Sequence, residues 1–397
     1  MLGLAGGGMA AFVLFRAGIA PGGQVGADVL LACAGWWFGL TMVATGSVRA
    51  PWGEALHRVW PAVLAALAAV ILWLVSTPQN GQDRVVRGAA LAVFGGYGNW
   101  HLISVGPTEA GPTHLVSPLQ SLWPFAVAVQ GALVFTVLFA VVTRVAKVRR
   151  GRPHPVVLPA LVVSALVLVW GVVVVFGSSS PDRLVADSRI RGVTFLVAAA
   201  IGAAGTSPLG RLIRALSGNV TLLAGAVLVI MALFAKPGSA AWTDGGTLAS
   251  VLFAVALVVA AAPWPPRPVG DVVGDVVGDE PAGLAGVDLW GVLVAVFFLH
   301  GPVLALLAPV RTHLPWLLAR LVGLAFLAAI SVGVSVLTAR MSRSPEAAER
   351  RRVLVPPVFV VTMVAIFSLT GAFHWEGPRP LTPKESKTRS SEGNEPG

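Results

Sequence analysis

One cysteine and one tyrosine are all that the 397 residues hold of those types, and only 12% of the chain is charged. A lone Cys33 excludes a disulfide framework and any cysteine-based metal cluster. The scarcity of charge excludes an ordinary water-facing surface, because soluble domains carry about 25% Asp, Glu, Lys and Arg. Alternating polarity, which a membrane-spanning β-barrel needs along every strand, is absent as well. No cleavable signal peptide is expected, since the first apolar run leads into further apolar runs; a true start upstream of Met1 stays open.

What is abundant is apolar: 56% hydrophobic residues and a mean hydropathy of +0.81. Runs of about 17 to 22 apolar residues recur from end to end, each long enough as a helix to cross a hydrocarbon core of roughly 30 Å. The expected fold is therefore all-α, a polytopic transmembrane helix bundle. The spans read Leu4 to Ile19, Ala27 to Val43, Val59 to Val75, Leu122 to Val142, Pro155 to Phe176, Ile190 to Ala204, Val220 to Ala235, Thr247 to Ala262, Val287 to Ala308, Leu321 to Leu337 and Val353 to Leu369. A weaker stretch, Ala89 to Val105, is interrupted by Gly95, Gly96, Gly98 and Asn99 and reads as either a span or a re-entrant element.

Charge decides between those two. Lys and Arg number 28 against 18 acids, and this excess of +10 gathers in short loops, as a topology signal does and a nucleic-acid surface does not. The basic loops Arg144 to Arg152 and Arg340 to Arg352 fall on one side, together with Arg49, Arg58, Arg211 and Arg214, if Ala89 to Val105 is re-entrant. Counting it as a span separates them. About eleven spans plus one re-entrant segment follow, with a cytoplasmic N-terminus and an extracytoplasmic C-terminus. The transmembrane domain takes residues 1–375, and residues 376–397 form a polar, disordered tail. The repeat from Gly270 to Glu280 spaces its aspartates unlike a known calcium loop and reads as an acidic linker, so no metal site is expected.

Read in order, the motifs resemble those of the acyltransferase-3 family of membrane proteins. Leu2-Gly3-Leu4-Ala5 and Phe15-Arg16-Ala17-Gly18 are similar to the family's "LDGLRA" and "FHAG", and Gly23 to Trp36 is similar to "GFVGVDVFFVLSGF". Arg58-Val59-Trp60-Pro61 resembles "RILP", Gly98-Asn99-Trp100 "SNW", and Ser117 to Gln130 "SPLLHTWSLAVEEQ". Asp187-Ser188-Arg189 resembles "DTR", and Phe298 to Val303 "LWHWPV". The late helix and the basic Arg350-Arg351-Arg352 resemble members that continue into an external SGNH hydrolase-like domain, which does not follow here. The resemblance implies transfer of an acyl group from cytoplasmic acyl-CoA, as co-substrate, to a surface glycan or lipid hydroxyl, with no bound cofactor.

The proton-handling groups that the resemblance implies are missing. The first helix should carry an arginine and, further on, a histidine acting as base; those positions are Ala5 and Arg16. A guanidinium stays protonated and cannot take a proton from a hydroxyl. The family's glutamate pair falls on Ala128 and Val129, the histidine before its tryptophan on Ser121, and the glutamate after "DTR" on Gly192. His101, His114 and His300 remain as replacement bases, His300 first among them, although a histidine at a membrane boundary is commonly an interfacial residue.

Asn99, Trp100, Trp123, Gln130 and Arg189 are expected to line a donor or acceptor site near the re-entrant segment. Arg58 either grips acyl-CoA phosphates or simply anchors a cytoplasmic helix end. Arg16, ionised inside an apolar helix, needs a partner, and Asp28 across the first hairpin is the expected one. Two other function classes stand beside the enzyme. One is a non-catalytic scaffold that binds a glycan or lipid for another envelope enzyme; the other is a transporter, for which internally repeated halves are lacking.

Overall fold

The computed structural model describes residues 1–76, 82–105, 117–145, parts of 163–177, 187–204, 208–236, 239, 242–261, 289–307 and 315–342. Its helices are α1 (Leu2–Arg16), α2 (Val25–Thr45), α3 (Arg49–Ser76), α4 (Gln82–Phe94), α5 (Gly98–Val105) and α6 (Trp123–Val145). After them come α7 (Ser188–Ala204), α8 (Pro208–Phe234), α9 (Thr247–Ala261), α10 (Leu289–Leu306) and α11 (Trp316–Ser342). No strand occurs among the described residues. Among the described residues, six helical segments are long and apolar enough to cross a membrane: Val25–Thr45, Arg49–Ser76, Gln120–Arg144, Trp242–Ala261, Leu289–Leu306 and Leu317–Leu337. Large apolar side chains stay exposed along their outer faces, among them Leu133, Val137 and Val141 on α6 and Leu222, Val229 and Phe234 on α8. An outward-facing apolar surface of that extent is what lipid solvates and water does not. The chain is an all-α bundle of the membrane type.

Between apolar helices in lipid there is little hydrophobic driving force, so close van der Waals contact must hold them. Small residues supply it. The most extensive pairing joins α2 to α7, where Gly35 and Gly39 lie against the carbonyls of Phe195 and Ala199, and Gly202 against the carbonyl of Trp36. A Cβ at any of the three would collide with those oxygens. The α1–α2 hairpin closes the same way, with Gly26 on the carbonyl of Gly8 and Gly23 on that of Ala11. A second core forms where α3 and α10 meet, around Leu67, Val70, Phe298 and Val303, and is roofed by Val86, Ala90 and Val93 of α4.

Helices α4 and α5 are too short to span. They fold back on each other about Gly96, whose φ of 76° requires a residue without a Cβ, and Gly88 of α4 meets the His101 ring of α5. The tip enters the bundle, where the Gly96 carbonyl accepts a 2.7 Å hydrogen bond from Gln130 Nε2, two turns into α6. This hairpin occupies the stretch Ala89 to Val105, whose glycines give it its turn. The expected spans Pro155 to Phe176 (for the most part) and Val353 to Leu369, the acidic repeat, the basic loops beyond Arg144 and Arg340, and the tail lie outside the described residues.

Candidate functional site: a buried polar centre at one end of the bundle

Among the described residues, α2, α6, α7 and α9 begin at one end of the bundle, and their first turns meet. Asp28, Arg191 and Ser250 are each the fourth residue of their helix, in α2, α7 and α9, and all three are fully buried. Arg191 Nη1 is ion-paired to Asp28 Oδ2. Ser250 Oγ donates to the same carboxylate oxygen at 2.7 Å and accepts from Arg191 Nη1 at 3.2 Å. The Arg191 guanidinium also lies 5.9 Å from the ring centre of Trp123, the first residue of α6. A carboxylate, a hydroxyl and an indole face together hold the cation, which is how a charge is kept inside a membrane bundle.

This corrects one expectation. Asp28 takes its charge partner from Arg191, 163 residues away, rather than from Arg16. The reason is register: the close α2–α7 packing carries Arg191 to the level of Asp28, whereas Arg16 ends α1 and comes within electrostatic reach of His300. Sequence reasoning passed over Arg191 and Ser250. The signal for Arg191 was present, since it is a charged residue inside an apolar run, as Arg16 is.

His300 stands in α10, next to Gly301 and Pro302. Pro302 has no N–H to give the carbonyl one turn earlier, and Gly301 lets the backbone at Pro118 press against the helix. Fully buried, His300 packs its ring edge-on to Phe12, centroids 5.5 Å apart, one turn before Arg16 on α1. Its Nδ1 lies 2.6 Å from the Phe297 carbonyl, and a carbonyl can only accept, so Nδ1 carries the hydrogen. In the neutral ring that leaves Nε2 as an acceptor, and Nε2 makes no hydrogen bond among the described residues. Phe12 also meets Trp123, with ring centroids 6.5 Å apart.

The hairpin residues gather beside this centre. Gln130 Nε2 donates to Asn99 Oδ1 at 2.8 Å, so these two expected partners do meet. Trp100, 40% exposed, receives the Arg189 guanidinium at 5.8 Å from its ring centre, and Arg189 is held by both oxygens of Asp187. Arg58 stands apart, paired to Glu54 one turn away on α3. His101 belongs to the hairpin, and His114 lies outside the described residues. No group of three His, Cys, Asp or Glu side chains suited to a metal ion occurs among the described residues. Compared with protein-family models, curated proteins and solved structures, the chain matches none.

Proposed function

We propose that this chain is a membrane acyltransferase of the acyltransferase-3 kind, moving an acyl group from cytoplasmic acyl-CoA to an extracytoplasmic carbohydrate or lipid hydroxyl. One observation carries the reading. His300, the buried histidine among the described residues, packs on Phe12 within reach of Arg16, the position where the resemblance calls for a base. Its acceptor Nε2 can take the proton of a hydroxyl as the acyl carbonyl is attacked, which Arg16 cannot. Asp28, Arg191, Trp123, Asn99 and Gln130 then form the wall and floor of the site, and Arg58 meets the donor's phosphates on the opposite side. The test gives labelled acyl-CoA and surface glycans to membranes holding the protein. Transfer lost on His300→Ala supports the reading, and absence of transfer by the wild type overturns it.

A non-catalytic scaffold is favoured by a different observation: Ala5, Ala128, Val129 and Gly192 occupy positions where the resemblance expects proton-handling groups. In the same assay it predicts no transfer even after Arg16→His. The proposed topology has eleven spans, a re-entrant α4–α5 hairpin and a cytoplasmic N-terminus in a bacterial plasma membrane. It is supported by α2, α6, α7 and α9 all starting at one end, which an extra crossing between α3 and α6 would forbid. With the buried Cys33 replaced by alanine, an impermeant maleimide added to intact cells should label a cysteine at the exposed Asp244 and spare one at the exposed Gly53. The reverse pattern would invert the orientation.

A further inference from the structure

Resting on the acyl-transfer reading, we infer that Ser121 and Trp123 are the hydrogen-bond donors that hold the acyl carbonyl oxygen at the His300 site. Ser121 lies in the single helical turn Gln120–Leu122 that leads into α6, and it is fully buried. Its Oγ faces the backbone next to His300: a Cβ placed on Gly301 would stand 2.6 Å from it. Trp123 follows two residues later, and Phe12 bridges its ring to that of His300.

The three polar atoms Ser121 Oγ, Trp123 Nε1 and His300 Nε2 are all buried, and none makes a hydrogen bond among the described residues. Each such atom costs about 1–3 kcal/mol, and natural interiors tolerate few of them. Phe12 and Gly301 bring these three to one place, where a bound acyl donor and hydroxyl would offer each a polar partner. Their chemistry is complementary to acyl transfer: two neutral donors suit a carbonyl oxygen that gains negative charge, and one acceptor suits a hydroxyl proton. In the step, the acceptor hydroxyl oxygen bonds to the thioester carbonyl carbon as its proton passes to His300 Nε2. The C–S bond then breaks, and the leaving thiolate recovers that proton as CoA thiol.

The experiment measures acyl transfer from labelled acyl-CoA by the full chain in proteoliposomes, for wild type, Ser121→Ala, Ser121→Thr and Trp123→Phe, with melting of each protein in detergent. Loss of one transition-state donor should lower kcat about a hundred- to a thousand-fold at nearly constant KM. Ser121→Thr, which keeps the hydroxyl, should recover most of that loss. Unchanged kcat in Ser121→Ala and Trp123→Phe overturns the donor assignment and leaves the acyl-transfer reading intact. A fall in kcat matched by a fall in melting temperature, unrelieved by threonine, assigns a packing role and overturns it too. An acyl ester on Ser121 seen by mass spectrometry would make it a nucleophile instead. Inactivity of the wild type removes both claims.

Discussion

Arg191→Met takes away the charge that Asp28 faces and leaves the carboxylate facing Ser250, which donates to it at 2.7 Å. Both partners of the ion pair have no exposed surface, so solvent cannot screen what is lost. Breaking a buried pair from one side costs about 3–5 kcal/mol, because an uncompensated ion stays behind. At about 1.4 kcal/mol per tenfold, that lowers the folded-to-unfolded ratio by roughly two to nearly four orders of magnitude. Asp28→Asn should cost less, since the amide oxygen still accepts from Arg191 and Ser250. The double substitution Asp28→Asn with Arg191→Met removes both charges and should lie within about 1–2 kcal/mol of the wild type. The assay is reversible SDS unfolding in mixed micelles, followed by the fluorescence of the thirteen tryptophans. Arg191→Met unfolding at the same SDS mole fraction as the wild type would refute the reasoning. So would a double variant whose loss equals the sum of the two singles, because independent sites add and a shared ion pair does not.

Four more outcomes are expected. Gly39→Ala pushes a methyl group into the Ala199 carbonyl and should destabilise by about 1–3 kcal/mol in the same titration. Gly6→Ala, which meets nothing within 4 Å, should instead stabilise α1 by up to about 1 kcal/mol. Gln130→Leu removes the hydrogen bonds that Gln130 donates to the Gly96 carbonyl and to Asn99 Oδ1, and should raise amide exchange across residues 95–100 while α2 and α7 keep their protection. Arg58→Gln breaks a partly exposed i,i+4 pair worth about 0.3–0.5 kcal/mol, so melting should not move; a several-fold rise in KM for acyl-CoA would mark phosphate contact.

The fold was legible where hydropathy alone decides it. The expected spans Ala27 to Val43, Ile190 to Ala204 and Thr247 to Ala262 fall within two residues of helices Val25–Thr45, Ser188–Ala204 and Thr247–Ala261. Helices Arg49–Ser76 and Pro208–Phe234 run about three turns beyond the expected spans at their N-terminal ends, because a polar helical turn before the membrane carries no hydropathy signal. The glycine run at Gly95 and Gly96 marked the hairpin, since a break of that kind can be tolerated only where protein surrounds it. Asn99 and Gln130 could be grouped because the hairpin and the next helix are adjacent in sequence. Arg191 could not be joined to Asp28, because which face of α7 meets α2 is set by where Gly35, Gly39 and Gly202 let the backbones touch. That register exists only between the two helices and is written in neither.

The same geometry bears on what the polar centre can favour. The starts of α2, α6, α7 and α9 each bring roughly half a positive charge of helix dipole to one end of the bundle. Asp28 and Asp187 are each met by an arginine, so the two ion pairs leave that dipole field largely standing. Charge of negative sign developing there is stabilised by the ends of four helices, and a bare cation is repelled by them. A path for cations through this end would have to rely on acidic side chains that the arginines do not hold, such as the exposed Asp244 before α9. An acyl carbonyl passing to an oxyanion would draw on the field that is present, which is the physical ground on which the proposed acyl transfer rests at this end of the bundle.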